Sequence, residues 1–167
     1  MKIRLVGAAL AAVLFTASAA SADYSGRARV IDGDTFSIRQ QRIRIAAIDA
    51  CERDQIGTKN GVKWRCGIEA RRFLASMIDG KHVRCVEIDR DQYRRLVGQC
   101  FIENLDIGLE MVKAGHASLL LRYLPRSHPI DLEQYRRAEH RARQLRQGIW
   151  GANVEPPSSY RRSHASD

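Results

Sequence analysis

Between residues 27 and 48 apolar and polar positions alternate in short bursts separated by turn residues. Ala28-Arg29-Val30-Ile31 leads into a turn at Asp32-Gly33, Thr35-Phe36-Ser37-Ile38 into a turn at Gln40-Gln41, and Arg42-Ile43-Arg44-Ile45 follows. A period of two with such breaks predicts three antiparallel strands. The polar stretch from Arg53 to Lys63, with two glycines and an asparagine, reads as a long loop, and loops of that length are often functional. The period then changes. Ala70, Phe73, Leu74, Met77 and Ile78 recur at helical spacing within Gly67 to Ile78, and Gly80 stands where a helix stops. Lys81 to Ile88 and Arg95 to Ile102 read as two more strands, turning between Gln92 and Tyr93. Asp106 is placed to cap a short helix through Leu109 and Val112 that ends at Gly115. Leu132, Tyr135, Ala138, Ala142, Leu145 and Ile149 trace one face of a third helix, while Arg136, Arg137, Arg141, Arg143 and Arg146 take the solvated faces. Beyond Trp150 no periodicity remains among the prolines, serines and arginines, which predicts a disordered polar tail over 152–167.

Three strands, a helix, two strands and two helices make an α+β chain. The arrangement that satisfies this order is a five-stranded β-barrel of the OB-fold type with three packed helices. Such barrels commonly bind oligonucleotides, but the fold alone establishes no function.

The N-terminus adds a compartment. Lys2 and Arg4 precede an apolar run from Leu5 to Phe15, and small residues then end in Ala20-Ser21-Ala22. This is the pattern of a signal peptide over 1–22, cleaved after Ala22. Its apolar run is shorter than the roughly 20 residues that span a bilayer. The mature chain is therefore expected to be soluble, without a membrane partner, secreted or periplasmic, with one domain over 23–151 followed by the tail. Nothing resembles a coiled-coil seam, so a monomer is the expectation. The whole sequence carries 28 Lys and Arg against 19 Asp and Glu, a net charge of +9. A surplus of this size favours an anionic partner, although it also serves solubility.

Cys51, Cys66, Cys85 and Cys100 are an even set in a chain expected to be exported, and no Cys-x-x-Cys spacing occurs. Three pairings into two disulfides are open. Cys85 and Cys100 flank the predicted hairpin turn, and directly opposed strand residues lie within disulfide reach. That pairing leaves Cys51 for Cys66. Closing a loop of about 15 residues contributes on the order of 3 kcal/mol on chain entropy alone.

The chain holds no Gly-x-x-x-x-Gly-Lys-Ser/Thr loop, no His-Glu-x-x-His and no Gly-x-Ser-x-Gly, which counts against nucleotide triphosphatase, zincin and serine hydrolase chemistry. Its five histidines show no ligand spacing. Acids and arginines remain. Val30-Ile31-Asp32-Gly33-Asp34-Thr35 puts two carboxylates around a turn, Arg44-Ile45-Ala46-Ala47-Ile48-Asp49-Ala50-Cys51-Glu52 puts an arginine in a strand and two acids beyond it, and Asp91-Gln92-Tyr93-Arg94-Arg95 sits at a hairpin tip. Each is ordinary alone: a turn, a strand with its loop, an exposed tip.

In this order, and with Gly148-Ile149-Trp150 closing the third helix, these segments resemble the staphylococcal nuclease (thermonuclease-like) family over roughly Gly26 to Trp150. The resemblance implies a calcium-dependent endonuclease that hydrolyses DNA and RNA phosphodiester bonds and leaves 3′-phosphate ends, with single strands favoured. It assigns Asp34, Asp49 and the Ala50 carbonyl to calcium, whose preference for hard oxygen donors they suit. Glu52 takes the role of orienting or deprotonating water. Arg44 and Arg95 hold the phosphate, where a planar guanidinium pairs with two oxygens at once. Tyr93 and Tyr123 contact nucleotide, since an aromatic face stacks on any base. The alternative within the family is a noncatalytic nucleic-acid- or protein-binding module, marked by loss of these acids or arginines. None is lost here. Three positions depart from the family pattern. Cys51 replaces a common proline, Arg94 replaces a glycine before the phosphate-binding arginine and so puts the aim of Arg95 in question, and Leu121 replaces one of two tyrosines, which implies weaker stacking.

Overall fold

The computed structural model describes residues 23–164, so the predicted leader and its cleavage point lie outside the described residues. Strand β1 (Asp23–Val30) pairs antiparallel with β2 (Thr35–Ile38), and β2 with β3 (Gln41–Ile45). Along its other edge β1 pairs with β7 (His82–Arg90), which turns back into β8 (Leu96–Ile102). Closure comes from β3 and β8, which run parallel in the register Ile43 to Leu96, Arg44 to Val97 and Ile45 to Gly98. The result is the expected five-stranded OB barrel, in which closure removes the unpaired edges an open sheet would expose.

Alternation explains which way each strand faces. Phe36, Ile38, Ile43, Ile45, Val83, Cys85, Leu96 and Cys100 are buried in one core, whereas Arg42 and Arg44 lie on the opposite face of β3. The core continues into three helices. These are α1 (Cys66–Ile78), which buries Ala70, Leu74 and Ile78, α2 (Ile107–Lys113), and α3 (Leu132–Gln144), which buries Tyr135, Ala138 and Ala142. The Asp106 carboxylate caps α2 by accepting from Leu109 N at 3.2 Å and also accepts from the Tyr135 hydroxyl at 2.7 Å. One residue thus starts α2 and ties it to α3. A short ladder of β4 (Ile48–Ala50) with β9 (Ala117–Leu119) covers one end of the barrel.

Four local expectations change. The β2–β3 turn is Arg39-Gln40, one residue earlier than the Gln40-Gln41 pattern indicates, because Ile38 pairs directly with Gln41 and Arg39 takes φ +54°. The segment read as a long loop contains a hairpin of β5 (Gly57–Lys59) and β6 (Val62–Trp64). Its Asn60-Gly61 turn has both φ values positive, at +50° and +77°, the geometry that matches strand twist. The third helix ends at Gln144, with Leu145 exposed and a 3₁₀ turn over Gly148–Gly151. Finally, the expected polar tail holds a fourth helix, α4 (Pro157–Ser163). Its order comes from contacts with the rest of the chain rather than from its own periodicity, so sequence pattern did not register it.

Both disulfides form as the hairpin argument pairs them. Cys85 and Cys100 are directly opposed on β7 and β8 with Cα atoms 4.0 Å apart, and Cys51 meets Cys66 at 5.8 Å.

Candidate active site

A cleft of about 550 Å³ opens where the turn before β2, the ends of β3 and β4, and the β7–β8 tip meet. Asp34, Arg44, Ala50, Glu52, Tyr93, Arg95 and Tyr123 all line it, as do Asp32 and Asp91. Asp49 lies beneath the cleft, buried, and reaches it through two arginines.

Register brings the first cluster together. Arg44 on β3 pairs with Thr35 on β2, so its side chain stands beside Asp34. Its Nη1 donates to Asp34 Oδ2 at 2.6 Å, and its Nη2 donates to Asp49 Oδ1 at 3.1 Å. Thr35 Oγ1 donates to the other Asp34 oxygen at 2.8 Å. Burial opposes the Arg44 charge, but Asp34 and Asp49 outweigh it and hold the guanidinium above its ordinary range. Asp49 is pushed up by burial, against the pull of Arg161 and Arg44.

Among the described residues no three acidic, histidine or cysteine side chains surround a single point. The residues that the family resemblance assigns to a cation, the Asp34 and Asp49 carboxylates and the Ala50 carbonyl, are all oxygen donors. That set fits a hard dication by donor chemistry. An added observation favours positive charge nearby: Asp32 Oδ1 is buried without a hydrogen-bond partner on the same cleft wall. Burial and the neighbouring Asp34 both push the Asp32 carboxyl up. The sequence reading treated Asp32 as turn chemistry, and the doubled acid of Asp32-Gly33-Asp34 is the signal that pointed further.

Glu52 is positioned by three contacts, two of them from outside its own loop. The preceding Cys51 is bonded to Cys66, the first residue of α1. Gln55 Oε1 accepts from Glu52 N at 3.0 Å. Gly67 packs so closely that a Cβ there would collide with the Glu52 carbonyl oxygen. Burial pushes the Glu52 carboxyl up, and the hydrogen bond and charge of Arg161 only partly counter this.

Arg95 is aimed by Asp91. One Asp91 oxygen accepts from the backbone N of Tyr93 and of Arg95, each at 3.0 Å, and the other accepts from Arg95 Nε at 2.7 Å. Arg95 lines the cleft with its Nε tied to Asp91. These bonds hold Asp91 below the usual carboxylate range, although partial burial acts the other way. The glycine-like geometry persists, since Arg94 has φ +61°. Tyr93 and Tyr123 are 70% and 68% exposed, with Arg95 and Arg122 against their rings at 5.4 and 4.9 Å. Leu121 packs against the core instead and does not line the cleft.

Sequence reasoning missed one residue altogether. Arg161 of α4 enters the cleft, donating from Nη1 to Glu52 Oε1 at 2.5 Å and from Nη2 to Asp49 Oδ2 at 3.0 Å. Nothing in a proline- and serine-rich stretch distinguishes this arginine from its neighbours. The histidines behave as packing or surface groups where they are described: His116, for example, stands against Phe73 at 4.7 Å.

A closed OB barrel with acids and arginines gathered at one end defines the class, the thermonuclease-like fold. The family model described as staphylococcal nuclease homologue matches residues 42–152, and the chain belongs to that family. It is 32% identical over 161 residues to the succinoglycan biosynthesis protein ExoI of Rhizobium meliloti, covering 91% of this chain and 78% of that one. It is 35% identical over 130 residues to the probable endonuclease LCL3 of Pyricularia oryzae, covering 74% of this chain and 49% of the relative. The probable staphylococcal-like nuclease CAN2 of Oryza sativa is also 35% identical over 130 residues, covering 77% of this chain and 31% of the relative. The chain thus spans most of the first relative but half or less of the other two.

Proposed function

We propose that this chain is an exported, monomeric, calcium-dependent nuclease that cleaves DNA and/or RNA, preferably single-stranded, and leaves 3′-phosphate ends. One observation carries the reading: a half-buried glutamate, two arginines and the Asp34 carboxylate open on one cleft, with the Asp49 carboxylate buried beneath it and tied to Arg44. The names of the nuclease relatives support nucleic acid as the substrate class. Asp34, Asp49 and the Ala50 carbonyl would hold a calcium ion, which would supply positive charge to the reacting phosphate. Arg44 and Arg95 pair with the equatorial oxygens as phosphorus becomes five-coordinate and negative charge builds there. Glu52 accepts a proton from the attacking water. Tyr93 and Tyr123 offer faces for bases, a contact indifferent to sequence.

The test is digestion of single-stranded DNA by oxidised protein in calcium and in chelator. Cleavage should require calcium, and Glu52→Ala and Arg95→Ala should each lower kcat on the order of 100-fold. End-group analysis should find 3′-phosphates. A folded protein that binds DNA but never cuts it would replace this reading with the noncatalytic module.

A further inference from the structure

Asp49 receives more positive charge than its place in a cation site explains. Its Oδ1 accepts from Arg44 Nη2 at 3.1 Å and lies 2.9 Å from Arg161 Nη2, and its Oδ2 accepts from Arg161 at 3.0 Å. Both oxygens are therefore covered. The same guanidinium closes on Glu52, so one side chain bridges the carboxylate assigned to the cation and the one assigned to water.

The two arginines differ in how they are held. Arg44 belongs to a barrel strand bonded on both sides, to β2 and to β8. Arg161 rides on a seven-residue helix and its side chain is 36% exposed. The chain leading to α4 is tethered to the Glu52 loop itself. Asn153 exchanges backbone hydrogen bonds with Thr58 at 2.7 and 2.9 Å, and the buried Gln55 donates to the Glu155 carbonyl at 2.7 Å. Gln55 also holds Glu52 N. The last turn of chain is thus strapped to the loop that carries Glu52, with its arginine inserted in the cleft.

We propose that Arg161 is a further residue of this active site, one that competes with the divalent cation for Asp49 and Glu52, so that the C-terminal strap sets the site's cation affinity. A guanidinium and a dication repel each other and claim the same carboxylate oxygens. Cation binding at Asp49 therefore moves the less firmly held arginine, Arg161, and loosens α4. The inference rests on the cation-dependent nuclease reading. It adds a residue that lies beyond the matched family span, which ends at 152.

The experiment is calorimetric titration of calcium into the full chain without nucleic acid, comparing the parent with Arg161→Gln, Arg161→Lys, Arg162→Gln and Asp49→Asn. Arg161→Gln should bind calcium about tenfold more tightly or better, with Arg161→Lys between it and the parent. Arg162, whose side chain bonds only to Ser159 among the described residues, serves as the control and should leave the affinity unchanged. In the parent, calcium should also speed hydrogen exchange of the α4 amides. Equal or weaker calcium binding by Arg161→Gln overturns the competition. A fall in kcat alone, with unchanged calcium affinity, overturns it too and makes Arg161 a phosphate ligand. The nuclease reading stands in both cases, provided Asp49→Asn abolishes calcium binding. If the parent binds no calcium, or Asp49→Asn binds it normally, the assigned cation site fails and the inference falls with it.

Discussion

Arg94 carries a conformational cost that its neighbour Arg95 requires. At φ +61° an L-residue pays on the order of 1 kcal/mol relative to glycine for the left-handed region. The turn keeps this geometry because Asp91 must reach both the Arg95 backbone and its Nε. Arg94→Gly should therefore raise unfolding stability by about 1 kcal/mol without lowering cleavage, as urea titration and initial rates would show. Asp32 is a second residue whose cost is local. Its folded-state pKa is raised by burial and by Asp34, so the folded protein disfavours its ionised form. The sign follows from linkage: stability is reduced above the folded pKa and regained as pH falls through that value toward the unfolded one. In chelator at neutral pH, Asp32→Asn should be more stable than the parent, and the advantage should shrink through the upper carboxylate range. A constant advantage across that range would show that ionisation of Asp32 is not the cause.

Among elements, the two disulfides separate stability from positioning. Both close a sequence separation of 15 residues, so chain entropy assigns them similar worth, on the order of 3 kcal/mol each. Their surroundings differ. Cys85–Cys100 joins strands already paired in the barrel, whereas Cys51–Cys66 ties the end of β4 to the start of α1, beside Glu52. Replacing Cys51 and Cys66 by alanine should lower stability and kcat together. The same change at Cys85 and Cys100 should lower stability by a similar amount yet leave kcat close to the parent value below its melting temperature. Comparable kcat losses in both variants would remove the positioning role. The arginine-rich face of α3 behaves as a solvated face, with Arg137 paired to Glu133, Arg143 to Glu139, and Arg143 stacked 3.8 Å from the Trp150 ring.

For the whole molecule the proposed function gives the net charge of +9 a part in encounter with a polyanion, while the cleft arginines would act on one phosphate. The two contributions respond differently to salt. Affinity for single-stranded DNA should fall linearly on a log–log plot against salt, and Arg95→Ala should make the slope shallower by about 0.7 for the one phosphate contact removed. Fluorescence titration at several salt concentrations measures this. An unchanged slope would place Arg95 away from the phosphate in the bound state.

The chain pattern alone specified the barrel, because a period of two between 28 and 45, a helical period between 67 and 78 and a capped short helix at Asp106 are local signals with local physical causes. Asp34, Arg44, Asp49, Ala50, Glu52, Tyr93 and Arg95 are ordinary singly, and only their resemblance, taken in order, to the staphylococcal nuclease family singled them out; pairing of β2 with β3 and of β7 with β8 then sets where their segments lie in the barrel. Tertiary structure decided the rest. Leu121 turned toward the core and Asp32 proved to be a half-buried acid with its Oδ1 unpartnered, outcomes set by surroundings that a local pattern does not contain. The C-terminal helix is the clearest instance. Its residues lack the apolar period of a core helix, and its order depends on Thr58, Gln55 and the Asp49–Glu52 pair, up to 112 residues away. Sequence determines structure within the reach of a turn or a strand pair, whereas an arginine's partner across the fold is chosen by closure of the barrel and the burial of charge that closure imposes.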